Sequence, residues 1–262
     1  MASRGIKIAI VLVAVVVLIP LLGFVALYFA VGRAPSLPSR AVLRIELGGD
    51  LAEVAPVDLV SFVRESRVPT VRDVVDNLRK AKTDDRVTGI FLKVTGLSTP
   101  FWAKVQEVRD AIIDFRTSGK PVYAYLEYGG DRDFYLATAA DRVFLMPSSP
   151  LDFAGVATYE VFLRGALDKA GVYPDLHHIG DYKTASNTFT EQSFTDAHRE
   201  MDASLNADLL GQVLAGVAER RRKSVADVRA LIDRGPFLPQ AAVDAGLVDE
   251  VAYEDQALGQ LR

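Results

Sequence analysis

The sequence contains no cysteine among its 262 residues and only three histidines, His177, His178 and His198. The lack of cysteine excludes disulfide bonds, thiolate nucleophiles and cysteine-ligated metal sites, and it fits an oxidising compartment or a chain indifferent to redox state. A serine–histidine–aspartate site would have to use one of the three histidines. Any hydrolytic chemistry is therefore expected to rely on a different general base.

The sequence also lacks an excess of positive charge. Its 30 lysines and arginines are interspersed with 34 aspartates and glutamates, which gives a net charge of −4. A protein that binds nucleic acid normally concentrates basic residues on one face. We therefore expect no nucleic-acid partner.

One long uncharged segment runs from Ile8 to Val31. As a helix it would span about 36 Å, enough to cross a hydrocarbon layer of roughly 30 Å. The alternative is a cleaved signal peptide, whose apolar region is shorter and ends at small residues. Tyr28, Phe29 and Arg33 fit such a cleavage site poorly, so the pattern favours an uncleaved transmembrane anchor that contacts the lipid bilayer through residues 8–31.

An N-terminal anchor followed by a large body predicts a simple topology. Residues 1–7 would form a cytoplasmic tail, 8–31 would span the inner (cytoplasmic) membrane, and the body would lie on the periplasmic or extracellular side. Two basic residues precede the segment and two follow it, so the positive-inside rule adds little. Residues 32–40 contain two prolines and are predicted to be a tether, which leaves 41–262 as the folded domain.

The hydrophobic pattern of the body alternates between strand and helix periods. Strands are predicted at 41–47, 87–94, 122–126, 143–146 and 246–251, an extended segment at 173–179, and helices at 71–81, 105–115, 132–140, 161–170, 201–217 and 224–233. Residues 87–94 are mostly apolar and are predicted to be buried on both faces. Strands that alternate with helices indicate an α/β fold with a largely parallel sheet and right-handed crossovers.

The most informative residue for chemistry is Lys183, in the segment Gly180-Asp-Tyr-Lys-Thr-Ala185. This segment is predicted to leave a strand and precede a long helix, and ligands of α/β folds bind beyond the carboxyl ends of strands. A lysine acts as a general base where burial disfavours its charged form. On the local sequence alone, an ordinary surface lysine is the alternative.

The same segment, together with Phe189 and Thr195, resembles the G-x-Y-K-[ST]-A signature of the signal peptide peptidase A family. These are membrane-anchored serine proteases that use a serine–lysine dyad. Further similar segments lie at 119–124, 134–137, 140–143 and 245–249. The resemblance covers nearly the whole chain after the tether and is greatest to the N-terminal half of the long, two-halved form.

The resemblance implies a fold, a function and a catalytic residue. The fold would be ClpP/crotonase-like, a spiral of stacked β-β-α units. The function would be the degradation of cleaved signal peptides by a homo-oligomer that needs no cofactor and no metal. Lys183 takes the position of the general base, and that role requires its amine to be desolvated in a cleft.

The nucleophile that this family requires is not found at its expected position. Where relatives carry the serine of an S-G-G-Y-Y-I-A stretch, this chain has Asp131, and a carboxylate cannot replace the alkoxide that attacks an amide. In the long form the serine comes from the C-terminal half, whereas this sequence ends at Arg262. The explanations left open are a fragment, which we favour, a half that works with a separate serine-bearing chain, or an inactive homologue.

Several other polar residues have simpler interpretations. Ser148, Ser149 and Ser186 lack the small neighbours that expose a nucleophile beside oxyanion donors. Adjacent strand residues point to opposite faces, so His177 and His178 are not expected to chelate one metal ion. The run Arg220-Arg-Arg-Lys223 is expected to end a helix in solvent, where cations are favoured, rather than to bind lipid or nucleic acid.

Two functions of other classes remain as alternatives. An inactive homologue could serve as a membrane-anchored scaffold that forms rings or holds extended peptides, and Asp131 favours that reading. An acyl-CoA enzyme of the crotonase type rests on analogy of fold alone. The predicted anchor and the lysine motif argue against it.

Overall fold

The computed structural model describes residues 2–31, 38–54, 69–98 and 102–261. The contacts between residues divide the chain into two units, Met1–Arg40 and Ala41–Arg262. Residues 32–37 of the predicted tether lie outside the described residues.

The first unit contains one helix, α1, from Ala2 to Val31. Its described apolar side chains are largely exposed, with Leu12 59%, Phe24 70% and Tyr28 69% accessible. Taken over the described residues, no helix combines the length and the hydropathy that crossing a membrane requires. The anchor at 8–31 therefore stays a prediction from the sequence.

The second unit alternates strands and helices along the chain. Its strands are β1 (Ala41–Gly49), β2 (Val87–Leu97), β3 (Val122–Leu126), β4 (Gly129–Gly130), β5 (Arg142–Leu145), β6 (Leu151–Asp152) and β7 (Glu250–Val251). Its helices are α2 (Val71–Thr83), α3 (Trp102–Arg116), α4 (Asp131–Ala137), α5 (Arg164–Lys169), α6 (Asn187–Thr190), α7 (Asp196–Arg221), α8 (Val225–Ile232), α9 (Pro239–Asp244) and α10 (Glu254–Gly259).

The main sheet has five strands in the order β1-β2-β3-β5-β7. Every neighbouring pair is parallel, and helices α2, α3 and α4 connect its first four strands, as parallel pairing requires. Strands β4 and β6 form a separate parallel pair. The prediction of a mixed α/β fold with a parallel sheet is confirmed.

Strand β2 is buried on both faces, as its sequence predicts. Ile90, Leu92 and Val94 belong to the larger core, together with the apolar faces of α2 and α3. Phe91 points to the opposite face, where it packs with Tyr125 in a smaller cluster that also includes residues of α10. Alternate side chains of a strand point to opposite faces, so both clusters follow from one apolar run.

A buried guanidinium joins helices α3, α4 and α7. Arg109 is 3% exposed and donates to the carbonyl of Tyr135, to Thr138 Oγ1 at 2.8 Å and to the carbonyl of Gly216 at 3.0 Å. Its guanidinium carbon also lies 4.3 Å from the centre of the Tyr135 ring. Burial lowers the pKa of Arg109, and these neutral acceptors compensate for its lost hydration.

Three predicted elements differ from the structure. The helix expected at 161–170 begins only at Arg164, because residues 153–163, here called the strap, run without regular secondary structure. Thr158 of the strap is tied to α7 by hydrogen bonds with Asp202 at 2.6 Å and Asn206 at 2.9 Å. The segment 173–179 joins no strand pair among the described residues, and the strand expected at 246–251 is limited to Glu250–Val251.

The basic end of α7 also differs from its prediction. Arg221 is not simply solvated, because its side chain is only 10% exposed and its Nη1 lies 2.9 Å from Asp249 Oδ2. Arg220 donates to the carbonyl of Thr138 at 3.3 Å. Two of the four cations therefore fasten the end of α7 to the sheet and α4.

Candidate active site

The segment that carries Lys183 is a turn. Gly180 has a φ of +82°, a conformation that glycine adopts without strain, and the Lys183 amide donates to the Gly180 carbonyl at 3.3 Å. A single 3₁₀ turn, Thr184–Ser186, follows and leads directly into α6. The chain thus reverses just before the lysine, and we call residues 180–186 the lysine turn.

Side chains on both sides of Lys183 fix the lysine turn to the first part of α7. The Tyr182 hydroxyl donates to Glu200 Oε2 at 2.8 Å. Asn187 is buried, and its Nδ2 lies 3.4 Å from Nδ1 of the equally buried His198. An imidazole protonated on Nε2 accepts this amide hydrogen through Nδ1. Sequence reasoning missed Asn187 and His198.

An aromatic cluster surrounds His198. The rings of Phe162 and Phe194 lie 5.3 Å apart, and the Phe194 ring lies 4.8 Å from that of His198. Thr195 caps α7 by accepting from the His198 backbone amide at 3.3 Å. His198 is therefore a packed core residue, and the signal that could have found it is its place three residues after a helix cap.

The structure contradicts the expected burial of Lys183. Its side chain is exposed and lines an open cavity of about 590 Å³. Among the described residues the cavity is lined by 177–179 and 182–186, so no second element of that part of the chain covers the amine. The lysine also does not follow a strand of the sheet, because residues 172–178 lack regular secondary structure.

The histidine pair lies in the same cavity. His177 and His178 both line it, and the argument from alternating strand faces was wrong because this segment is not a strand. His178 Nδ1 lies 3.0 Å from the Gly180 carbonyl oxygen, which couples it to the lysine turn. Among the residues that the structure describes, no three histidine, aspartate or glutamate side chains converge as metal ligands.

Asp131, which the sequence predicts at the position of the family's serine, lies in a different cavity. It is the first residue of α4 and lines a cleft of about 280 Å³. Its Oδ1 accepts from the Gly155 amide of the strap at 2.9 Å. Burial raises the pKa of Asp131 to about 6, with a further contribution from the charge of Asp152, while the backbone amides of Gly155 and Ala154 oppose the shift.

The neighbouring Asp133 has a structural role. It is buried, its Oδ1 accepts from the Leu97 amide at 2.7 Å, and its Oδ2 accepts from the Gly130 amide at 3.1 Å. Burial raises the pKa of Asp133, and these backbone bonds oppose the shift. Asp133 thereby joins the end of β2 to the start of α4.

The serines near these cavities form no dyad with the lysine. Ser186 lines the Lys183 cavity, but its Oγ is buried and has no hydrogen-bond partner among the described residues. Ser149 is buried, and its hydroxyl donates to the Pro150 carbonyl at 3.4 Å. The described residues therefore hold a candidate base, Lys183, and, in a separate cleft, the carboxylate of Asp131.

Two relatives that are similar in sequence to this chain are proteases. The chain is 30% identical over 187 residues to the chloroplastic serine protease SPPA of Arabidopsis thaliana, covering 71% of this chain and 28% of that protein. It is 31% identical over 188 residues to Protease 4 of Salmonella typhi, covering 69% of this chain and 30% of that protein. The chain thus spans less than a third of the length of these two relatives.

Among solved structures, a 1510-N membrane protease specific for a stomatin homolog from Pyrococcus horikoshii aligns with a TM-score of 0.45 at 10% identity. The alignment covers 85% of this chain and 79% of that one. Residues 114–262 match Peptidase family S49. This region is more than half of the 262 residues, and it includes the lysine turn, Asp131 and α7. The chain belongs to peptidase family S49.

Proposed function

We propose that this chain is the lysine-bearing part of a serine endopeptidase in which Lys183 is the general base. The nucleophilic serine would come from outside these 262 residues, either from a second half or from another chain. The observation that carries the proposal is the lysine turn, which is built around a left-handed glycine and fixed to α7 on both sides of Lys183. The fold we infer is the ClpP/crotonase-like spiral.

The proposed chemistry uses an uncharged amine. Lys183 Nζ would take the proton of the serine hydroxyl as its oxygen attacks the peptide carbonyl, and would then return that proton to the leaving amine. Water would release the acyl group in a second step. An exposed lysine is normally charged, so this mechanism requires another surface to cover the Lys183 cavity and desolvate the amine. The serine-bearing segment is the surface that the chemistry requires there.

The setting that we propose follows from the sequence. Residues 8–31 would anchor the chain in the inner membrane, with the body outside the cytoplasm, where a homo-oligomer would degrade cleaved signal peptides. The exposed apolar side chains of α1 support contact with lipid. Extraction of membranes at alkaline pH should leave the full chain in the pellet and release a variant without residues 8–31. Release of the full chain into the supernatant would contradict the prediction that residues 8–31 anchor it in the membrane.

A second function is favoured by one observation. Asp131, the residue predicted at the nucleophile position, is hydrogen-bonded to the strap, in a cavity other than that of Lys183. Such an arrangement also suits an inactive homologue that holds extended peptides. The peptidase and the inactive homologue are distinguished by whether a serine supplied by another chain gives peptide hydrolysis.

Labelling with a fluorophosphonate probe tests the absence of a nucleophile within the chain. We expect no labelling of the full chain alone under conditions in which a control serine peptidase is labelled completely. Ser186, which lines the Lys183 cavity, is the residue to monitor by mass spectrometry. A covalent adduct on Ser186 or any other serine would show that the nucleophile lies inside these residues.

A further inference from the structure

The cleft at Asp131 has walls of two chemical kinds. Leu97, Val156 and Leu209 contribute apolar surface, and Trp102 and Tyr128 contribute aromatic rings. An apolar passage with aromatic walls suits a chain of methylene groups, and the faces of such rings also attract cations.

The aromatic walls are held in place. Trp102 Nε1 donates to Gln212 Oε1 at 2.9 Å, and its ring packs 4.8 Å from that of Tyr135. The Tyr128 hydroxyl donates to Asp152 Oδ2 at 3.3 Å. A cleft whose walls are already ordered loses little conformational entropy when a ligand enters.

Asp131 gives the cleft a charge that the described residues do not neutralise. Within that part of the chain, no lysine or arginine forms an ion pair with Asp131, and the neighbouring charge that acts on it most is the like charge of Asp152. Arg132 also lines the cleft, but its charge acts on Asp133. A half-buried carboxylate without a cation is costly, and an incoming cation would remove that cost.

We propose that this cleft binds an alkylammonium or guanidinium group, supplied by a basic side chain of an extended peptide, with Asp131 as its counter-ion. The methylene stem would lie along the apolar wall, and the charged head would reach the carboxylate between the two rings. The volume of about 280 Å³ accommodates one such side chain and excludes a folded domain. The cation site is inferred from the cleft itself. Only the statement that a peptide supplies the cation rests on the proposed function.

Trp102 is the only tryptophan of the chain, so its fluorescence reports on this cleft alone. We would titrate the full chain near pH 7.5 with three ligands: a capped pentapeptide with a central lysine, the same peptide with norleucine, and n-butylamine. We expect the lysine peptide to bind at least tenfold more tightly than the norleucine peptide. We also expect its affinity to fall at least fivefold near pH 5, because the pKa of Asp131 is raised to about 6 and protonation removes the counter-ion.

Two substitutions that each remove one negative charge are compared, one in the cleft and one, as the control, in the lysine turn. Asp131→Asn should abolish the preference for lysine over norleucine. Asp181→Asn, which removes an exposed carboxylate from the lysine turn, should leave the preference unchanged. The Asp131 variant also keeps an acceptor for the Gly155 amide, and circular dichroism would verify that it folds.

Equal affinities for the lysine and norleucine peptides would overturn the proposal, as would a preference that survives Asp131→Asn. If n-butylamine bound as tightly as the lysine peptide, the proposal that a peptide supplies the cation would be contradicted. Because the experiment measures binding and no hydrolysis, it fails or succeeds independently of the role of Lys183.

Discussion

At the scale of single residues, Asp131 is the side chain whose environment has the clearest consequence for stability. Its pKa is raised to about 6 by burial and the charge of Asp152, whereas an aspartate of an unfolded chain titrates near 4. The ionised form is therefore disfavoured in the folded state. Ionised Asp131 therefore lowers the free energy of unfolding by its full amount at neutral pH. This destabilisation decreases as the pH falls through 6 and is absent below about pH 4.

Asp131→Asn should therefore stabilise the fold in a pH-dependent way. We expect the free energy of unfolding by urea to rise by about 1–2 kcal/mol near pH 7.5, an estimate reduced for partial solvent screening. The gain should be mostly lost near pH 4.5. Asp84 is the control of opposite sign, because the side chain of Arg86 lowers its pKa to about 2, so that Asp84→Asn should destabilise. A gain for Asp131→Asn that is the same at both pH values would contradict this account.

At the same scale, the sequence located two important positions without revealing their surroundings. The motif identified Lys183, and its comparison with the family's serine stretch identified Asp131. Exposure of Lys183 and burial of Asp131 depend on which distant segments fold over them. The sequence of the strap does not predict that it contacts Asp131, and the local sequence around Lys183 does not predict that its cavity is open among the described residues.

At the scale of elements, the packing of α7 on α3 and α4 depends on a glycine. A Cβ on Gly216 would lie 2.6 Å from Tyr135 Cε2 and 3.2 Å from Arg109 Nη2. Neither side chain has room to yield, because Arg109 is buried among three acceptors and the Tyr135 ring packs on Trp102. The close approach of α7 to the two helices thus requires the absence of a side chain at this position.

Two glycine-to-alanine changes in α7 should have opposite effects. Gly216→Ala should lower the free energy of unfolding by about 1–3 kcal/mol through overpacking. Gly211→Ala should raise it by about 0.5–1 kcal/mol, because nothing lies within 4 Å of the added Cβ and alanine favours the helix. Chemical denaturation of both variants beside the natural protein provides the measurement. Equal effects of the two changes would show that the contact with Tyr135 does not restrict α7.

Elements with local signals were predictable, whereas those fixed by distant contacts were not. Thr70 and Ser224 begin their helices with capping boxes, a local signal, and the ranges predicted from hydrophobic spacing, 71–81 and 224–233, agree closely with α2 and α8. The apolar run of β2 likewise specified a central strand. Residues 161–163 were predicted as the start of a helix but belong to the strap, which Thr158 ties to Asp202 and Asn206 of α7 through contacts that no local pattern encodes.

At the scale of the whole molecule, the two candidate positions lie in separate cavities of the body. The lysine turn is held by α7, and the described residues that line the cavity at Lys183 all lie within 177–186, whereas the second cleft contains Asp131. Under the proposed function, an exposed Lys183 needs a further surface that desolvates its amine.

Complementation tests this central claim most directly. The full chain would be mixed with a serine-bearing S49 partner whose own lysine has been replaced, and hydrolysis of a fluorogenic peptide would be followed. We expect activity with the natural chain, a loss of 10²-fold or more with Lys183→Ala or Lys183→Arg, and no loss with Lys169→Ala, which removes another exposed lysine. The melting temperature should change little in each variant. Full hydrolysis by the Lys183→Ala assembly would contradict the assignment of Lys183 as the base.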